Sequence, residues 1–349
     1  MLRTISLCSG KGGVGKTLLA TGLARIIQRE ENCKVLLADL DLSVSGLTLL
    51  AFRNKIELDQ VPFSLFDYLT GDDNTQTALF ETLQAALMPK SESQEHSAAA
   101  LYQRLDRLFV LPASVESERP DWKQSTRIEL DLALEKVAHL RRFADKSLDA
   151  DYLIFDTQAG LGSLSLAAAT LSDMNIILME EDDISWSTSL RMFTEVTELN
   201  KRLQHRSRSY FLANKVHAGM MDMAVKLKAF SFLPPLPFDG WAQRLMADSS
   251  SAVLEKDFEN SDFFRHLHTR VWQEIAQIFG LNPSPVKNSS FAWWRLYKGR
   301  HESAPKTGTA TAPRRLTPLI QLDGPAQDRP DPARPTPQVQ PAKTVAPSH

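Results

Sequence analysis

Short apolar runs alternate along the chain with segments whose apolar residues recur every three or four positions. Thr4–Cys8, Lys34–Asp39, Leu108–Pro112, Asp151–Asp156, Asn175–Met179 and Ser209–Ala213 are runs of five or six residues. Runs of that length, bounded by polar or turn-forming residues, predict strands buried on both faces. Between them, Lys16–Gln28 places Leu19, Leu23 and Ile26/Ile27 at helical spacing, and Ile128–Phe143, Trp186–Arg202 and Phe263–Phe279 read the same way. Alternating strands and helices predict the α/β class: a mostly parallel, twisted sheet with helices on both faces.

Two regions break the alternation. Lys55–Arg104 is polar and weakly periodic and contains SESQEHSAAA at 91–100, so it reads as a helical insertion that is partly flexible. From Ser303 to His349 the chain holds ten of its 19 prolines and no aromatic residue. Such a segment cannot bury enough apolar surface to offset its ordering entropy, which predicts a disordered tail. The expected organisation is one domain over residues 1–290, an aromatic and basic segment over 291–302, and the tail over 303–349.

Composition narrows the function. The 349 residues, 43% of them hydrophobic, suffice for a large core, and the formal net charge of −2 removes any overall basic field for nucleic acid. Two cysteines, Cys8 and Cys33, with no CxxC pair, leave no disulfide framework, zinc site or iron–sulfur cluster to expect. The opening MLRTISLCSG lacks the apolar core of a signal peptide, and no run of about 18 apolar residues occurs, so a cytoplasmic protein is expected.

The chemistry concentrates in Gly10-Lys11-Gly12-Gly13-Val14-Gly15-Lys16-Thr17, which fits G-x-x-x-x-G-K-[ST] between a strand and a helix. Glycines let successive backbone N–H groups face phosphate oxygens, and the helix N-terminus adds a favourable dipole. Lys16 would neutralise the β- and γ-phosphates, and the Thr17 hydroxyl would ligate Mg²⁺. Asp156, at the carboxyl end of the strand DYLIF, is placed to hold the same metal or a water bound to it, and Gly160 lets the backbone approach the γ-phosphate.

KGGVGKT resembles the deviant phosphate loop of the MinD/ParA family, the SIMIBI-type nucleoside triphosphatases. The resemblance covers roughly residues 1–280 and is strongest at 9–17, 39–46 and 156–160. It implies a phosphate-loop ATPase using ATP and Mg²⁺. It also implies that Lys11 reaches the phosphates held by a second subunit, so that hydrolysis and homodimerisation are coupled. Within Asp39-Leu40-Asp41-Leu42-Ser43-Val44-Ser45-Gly46, the resemblance gives Asp41 to the attacking water or the Mg²⁺ shell and leaves Asp39 as a strand-end carboxylate. Asn214 takes the place of a residue that reads the base, usually adenine, and Pro237-Phe238-Asp239 that of a base-side loop containing Pro237. Glu181-Asp182-Asp183 stands loosely where the family has Pro-Glu. Gln158 departs from the family's usual proline.

Other stretches suggest surfaces. Phe291-Ala-Trp-Trp-Arg-Leu-Tyr-Lys-Gly-Arg300 mixes aromatic and basic residues that suit peripheral membrane contact, whereas Lys201–Arg208 is a basic run able to touch DNA phosphates without reading sequence. Cys8 reads as a small core residue, and His266 and His268 point to different helix faces and make a poor metal pair. The reading is a slow Mg²⁺-dependent ATPase that switches a homodimer and thereby controls association with a protein partner, DNA or membrane. The alternative is a nucleotide-sensing scaffold with little hydrolysis.

Overall fold

The computed structural model describes residues 1–52, 60–87, 102–105, 107–114, 128–217, 230–247 and 259–282. The chain divides into two units, Met1–Lys287 and Asn288–His349, and only the first contains described residues. The SES stretch at 91–100, the aromatic and basic stretch at 291–300 and the proline-rich tail therefore lie outside the described residues.

The described residues form a seven-stranded sheet. Its strands are β1 (Arg3–Cys8), β2 (Val35–Leu40), β3 (Gln103–Leu105), β4 (Leu108–Leu111), β5 (Tyr152–Thr157), β6 (Met174–Met179) and β7 (Arg208–Ala213). Their order is β3-β4-β2-β5-β1-β6-β7, all parallel except the short edge strand β3, which runs antiparallel to β4. The apolar runs become β2, β4 and β5 because every residue in them is buried, with helices covering both faces.

Right-handed crossovers set the faces of the helices that join parallel strands directly. From β1 the chain steps towards the β3 edge through α1 (Lys16–Glu31) to β2, and a longer connection leads on to β4 through α2 (Gly46–Ala51), which packs on α1, then α3 (Leu65–Thr70) and α4 (Asp73–Leu87). Steps in the opposite direction, through α5 (Leu130–Lys146), α6 (Ser163–Leu171) and α7 (Asp183–Leu203), place those helices on the other face. The described part of the 55–104 region is helical apart from β3, and its helices α3 and α4 leave the face of α1 and pack on α5. There Phe80 stacks on Phe143 with ring centroids 3.6 Å apart, and the Tyr68 hydroxyl donates to the Lys136 carbonyl at 2.8 Å.

Sequence periodicity gave one helix over Phe263–Phe279. The structure has α9 (Asp262–His266), a π-turn segment (Leu267–Trp272) and α10 (Gln273–Ile278). The wider turn lets Trp272 reach full burial beside Tyr152, their rings 6.4 Å apart. Between β7 and α9 lies α8 (Gly240–Ala247). It begins where the Asp239 carboxylate accepts from the N–H groups of Trp241 and Ala242 at 2.9 and 3.1 Å.

This topology gathers the carboxyl ends of β1, β2, β5, β6 and β7 along one rim. In a doubly wound sheet that rim is where ligands bind. Residues Asp39 and Asp156 are register partners in β2 and β5, so two acids end up side by side at its centre.

Candidate functional site

The loop from Ser9 to Gly15 is held from both sides. A Cβ at Gly15, whose φ is +95°, would lie 2.4 Å from Asn214 Nδ2. At Gly10 a Cβ would lie 2.4 Å from the Thr188 Cβ on α7. Both positions therefore need glycine, one for backbone angle and space, the other for the approach of a helix. The Val14 side chain is fully buried, which leaves this residue only its backbone to offer a phosphate.

A cavity of about 430 Å³ opens over the loop. Gly12, Gly13, Gly15, Lys16 and Thr17 line its phosphate end. Lys16 is only 8% exposed, and its Nζ donates to Ser9 Oγ at 3.0 Å. The Thr17 hydroxyl donates to Asp156 Oδ2 at 2.7 Å. Asp156 Oδ1 is buried and has no partner. A buried, unpartnered carboxylate oxygen beside a hydroxyl is a set of hard oxygen donors, and it fits a magnesium ion or its bound water.

The two central acids resist ionisation. Desolvation, then the charge of Asp156, pushes Asp39 up to about 8, although hydrogen bonds from Thr48 and from the Asp41 N–H oppose this. Burial raises Asp156 to about 6 against the Thr17 hydrogen bond and the Lys16 charge. Asp39 spans the loop that follows it: Oδ1 accepts from Asp41 N at 3.0 Å, and Oδ2 accepts from Thr48 N and Oγ1 at 2.8 and 2.7 Å. Asp41 lines the cavity wall. Its Oδ1 accepts from Ser43 N, Ser43 Oγ and Val44 N at 3.2, 2.6 and 3.1 Å.

Asn214, Pro237, Phe238 and Phe263 line the same cavity. Asn214 Nδ2 donates to the Val14 carbonyl at 2.8 Å, while its buried Oδ1 has no partner. That oxygen is an acceptor awaiting a donor such as an exocyclic amine. Pro237 is set by a short parallel bridge to Val216. Asp239 also lines the wall, but both its oxygens accept backbone N–H groups, including Phe263 N at 3.0 Å, so it serves as a helix cap.

Four of the sequence candidates stay out of the cavity lining alongside Val14: Gly10, Lys11, Asp156 and Gly160. Asp156 lies beneath the lining and reaches it through Thr17. Gly160, expected to let the backbone approach a γ-phosphate, donates its N–H to the Ser9 carbonyl at 2.8 Å and ties the two loops together, while the adjacent Ala159 lines the cavity. Lys11 turns to the loop after β6. Its Nζ lies 2.9 Å from both Glu180 Oε2 and Asp182 Oδ2, and these two hydrogen bonds raise its pKa. The acid pair on Lys11 is thus Glu180 and Asp182: of the segment 181–183 read from the sequence only Asp182 takes part, and Glu180 precedes that segment.

Sequence reasoning missed Glu180, Lys215 and Ser43. The Lys215 ammonium donates to the Gly13 carbonyl at 2.6 Å and to Glu180 Oε1 at 2.7 Å, so one carboxylate bridges both lysines. The dipeptide Asn214-Lys215 at a strand end was the available signal. Cys8 and Cys33 are buried, and among the described residues no cluster of metal-ligating side chains occurs. Nor is any helix there long and apolar enough to cross a membrane.

Comparison with known proteins follows the same geometry. The profile of the CobQ/CobB/MinD/ParA nucleotide binding domain matches residues 5–226. An uncharacterized ATP-binding protein of Methanocaldococcus jannaschii is 25% identical over 203 residues, 58% of this chain and 61% of that protein. The chain thus matches less than two thirds of that relative. Septum site-determining protein MinD of Buchnera aphidicola is 25% identical over 272 residues, 74% of this chain and 86% of its own length. The structure of MinD complexed with Mg-ADP from Pyrococcus horikoshii superimposes with a TM-score of 0.53 at 19% identity, covering 80% of this chain and 98% of that one. At that identity the likeness is one of fold. Since the family profile covers well over half of the 349 residues, the chain belongs to the CobQ/CobB/MinD/ParA family of nucleotide binding domains.

Proposed function

We propose that this protein is a Mg²⁺-dependent ATPase of the MinD/ParA type, in which bound ATP closes two subunits face to face. One arrangement supports the reading. A single cavity is lined by Lys16 and Thr17 and also by Pro237 and Asn214, whose buried oxygen is unpartnered, while the second loop lysine, Lys11, lies outside it. A lysine kept out of its own cavity, on the rim of the loop, is available to a neighbour's phosphates.

In this reading Gly12, Gly13 and Gly15 present backbone N–H groups to the phosphates, and Lys16 exchanges Ser9 for a phosphate oxygen. Thr17, Asp156 and Asp41 would hold Mg²⁺, which neutralises charge on the transferring phosphoryl group. Asp41, its Oδ1 satisfied by three donors, offers Oδ2 to the attacking water. Lys11 leaves Glu180 and Asp182 and supplies positive charge to the partner's nucleotide. Turnover is slow alone because that charge arrives only on dimerisation.

The output is a change in affinity for a protein partner, DNA or membrane, from a cytoplasmic pool that associates reversibly with nucleoid or bilayer. Lys201, Arg202, Arg206 and Arg208 are exposed at the amino end of β7, which suits contact with DNA phosphates. Lys16→Ala tests the core of the reading. It should reduce ATP turnover at least a hundredfold, and MgADP should raise the melting temperature of the wild type only. Unchanged turnover in Lys16→Ala would overturn the site. Tight ATP binding with no turnover in the wild type would leave the nucleotide-sensing scaffold.

A further inference from the structure

Two loops leave neighbouring strands at the central rim, one after β2 and one after β5. A side-chain bridge joins them. The Gln158 amide Nε2 donates to Ser43 Oγ at 3.0 Å, and Ser43 Oγ donates to Asp41 Oδ1 at 2.6 Å. All three residues line the cavity. We propose that Gln158 is a positioning residue for hydrolysis, which acts through Ser43 to fix the Asp41 carboxylate at the phosphate end of the cavity. The proposal rests on the ATPase reading above.

The direction of the bridge follows from proton counting. An ionised carboxylate only accepts, so the single Ser43 hydroxyl proton goes to Asp41. Ser43 Oγ can then only accept from Gln158. Gln158 must therefore present its NH₂ group to Ser43, which leaves its Oε1 outside the bridge. Donation from the amide polarises the hydroxyl and strengthens its bond to Asp41. Together with the N–H groups of Ser43 and Val44, this gives Asp41 Oδ1 three donors and prevents the carboxylate from turning, so Oδ2 keeps one direction.

Location makes the bridge consequential. Gln158 sits two residues after Asp156, and Asp41 two residues after Asp39, while Asp39 and Asp156 are register partners. Backbone pairing thus fixes the bases of the two loops. The Gln158–Ser43 bond fixes them again further out, beside the reacting group. A small displacement of a water-orienting group lowers the chemical step more than it lowers binding.

The donor requirement separates positioning from packing. Gln158→Glu keeps shape and size, yet the ionised side chain cannot donate to Ser43. If Ser43 donates to it instead, Asp41 loses its shortest bond. ATP turnover and the affinity for a fluorescent ATP analogue should be measured for the wild type, Gln158→Ala, Gln158→Glu, Ser43→Ala and Ser43→Ala/Gln158→Ala. The expected result is a kcat about tenfold lower in each variant with affinity within about twofold, and a double variant no slower than Ser43→Ala. Retained affinity also shows that the variants fold. Wild-type-like kcat in both Gln158 variants, or losses that multiply in the double variant, would overturn the positioning role alone. Absence of turnover in the wild type would overturn the ATPase reading and the proposal with it.

Discussion

Asp39 and Asp156 are fully buried, adjacent and reluctant to ionise. Unfolded, such acids ionise near pH 3.8, whereas in the fold Asp39 holds its proton to about 8 and Asp156 to about 6. Unfolding at neutral pH therefore releases a proton, and raising the pH favours the unfolded chain. His139, His205, His266 and His268 act in the opposite sense, because burial lowers their pKa and unfolding takes up protons below about pH 6.5. The nucleotide-free protein should thus lose several degrees of melting temperature between pH 6.5 and 8.5. Asp39→Asn should flatten that slope even if it lowers stability throughout. A wild-type melting temperature that rises across the same interval would contradict the assigned protonation.

At this scale the site was legible where the chain is local. Gly10–Thr17 is a contiguous motif, and its context of strand and helix is read directly from the sequence. Long-range partners were not legible. Glu180 and Asp182 lie 169 and 171 positions from Lys11, and nothing in an acidic turn specifies which lysine it meets. The bond between Gln158 and Ser43 spans 115 positions and was hidden for the same reason.

At the scale of elements, the six apolar runs all became strands within one residue of their expected ends, because strands buried on both faces leave continuous apolar stretches. Helix α6 escaped notice for a related reason. Every residue from Leu164 to Thr170 is buried, so no polar face marks its period. Helix α2, with six residues, is too short for periodicity to register. The π-turn segment was invisible because one extra residue per turn barely alters an apolar pattern. It leaves Trp272 fully buried with Nε1 unpartnered. Trp272→Ala should cost about 3–5 kcal/mol by opening a cavity. Trp272→Phe should cost much less, since the lost volume is partly offset by removing an unsatisfied donor. Urea denaturation of the two variants checks this, and equal losses would contradict the volume account.

At the scale of the whole molecule, the fold and family follow from strand order and the phosphate loop, whereas the switch proposed above requires a second subunit. Two features of this chain bear on it. Lys11 is tethered to Glu180 and Asp182, and Glu180 is shared with Lys215, which in turn holds the Gly13 carbonyl. Val44 in the loop after β2, Leu49 on α2 and Ile184 in the first turn of α7 are apolar and 61–69% exposed, and all three follow strand ends at the same rim. An exposed apolar rim around a cavity is a surface suited to burial against another protein. Nucleotide occupancy can bias such a contact only if one state of the loop binds the second subunit better than the other.

The most direct test is the mass in solution of Asp41→Ala, measured by light scattering in MgATP and then in MgADP, with Lys11→Ala added to the same protein. Slowed hydrolysis should hold the closed state. The account predicts a dimer in MgATP, a monomer in MgADP, and loss of the ATP-bound dimer when Lys11 is also replaced. One unchanged mass in both nucleotides would contradict it, and Lys11 would then be a loop lysine serving only its own subunit.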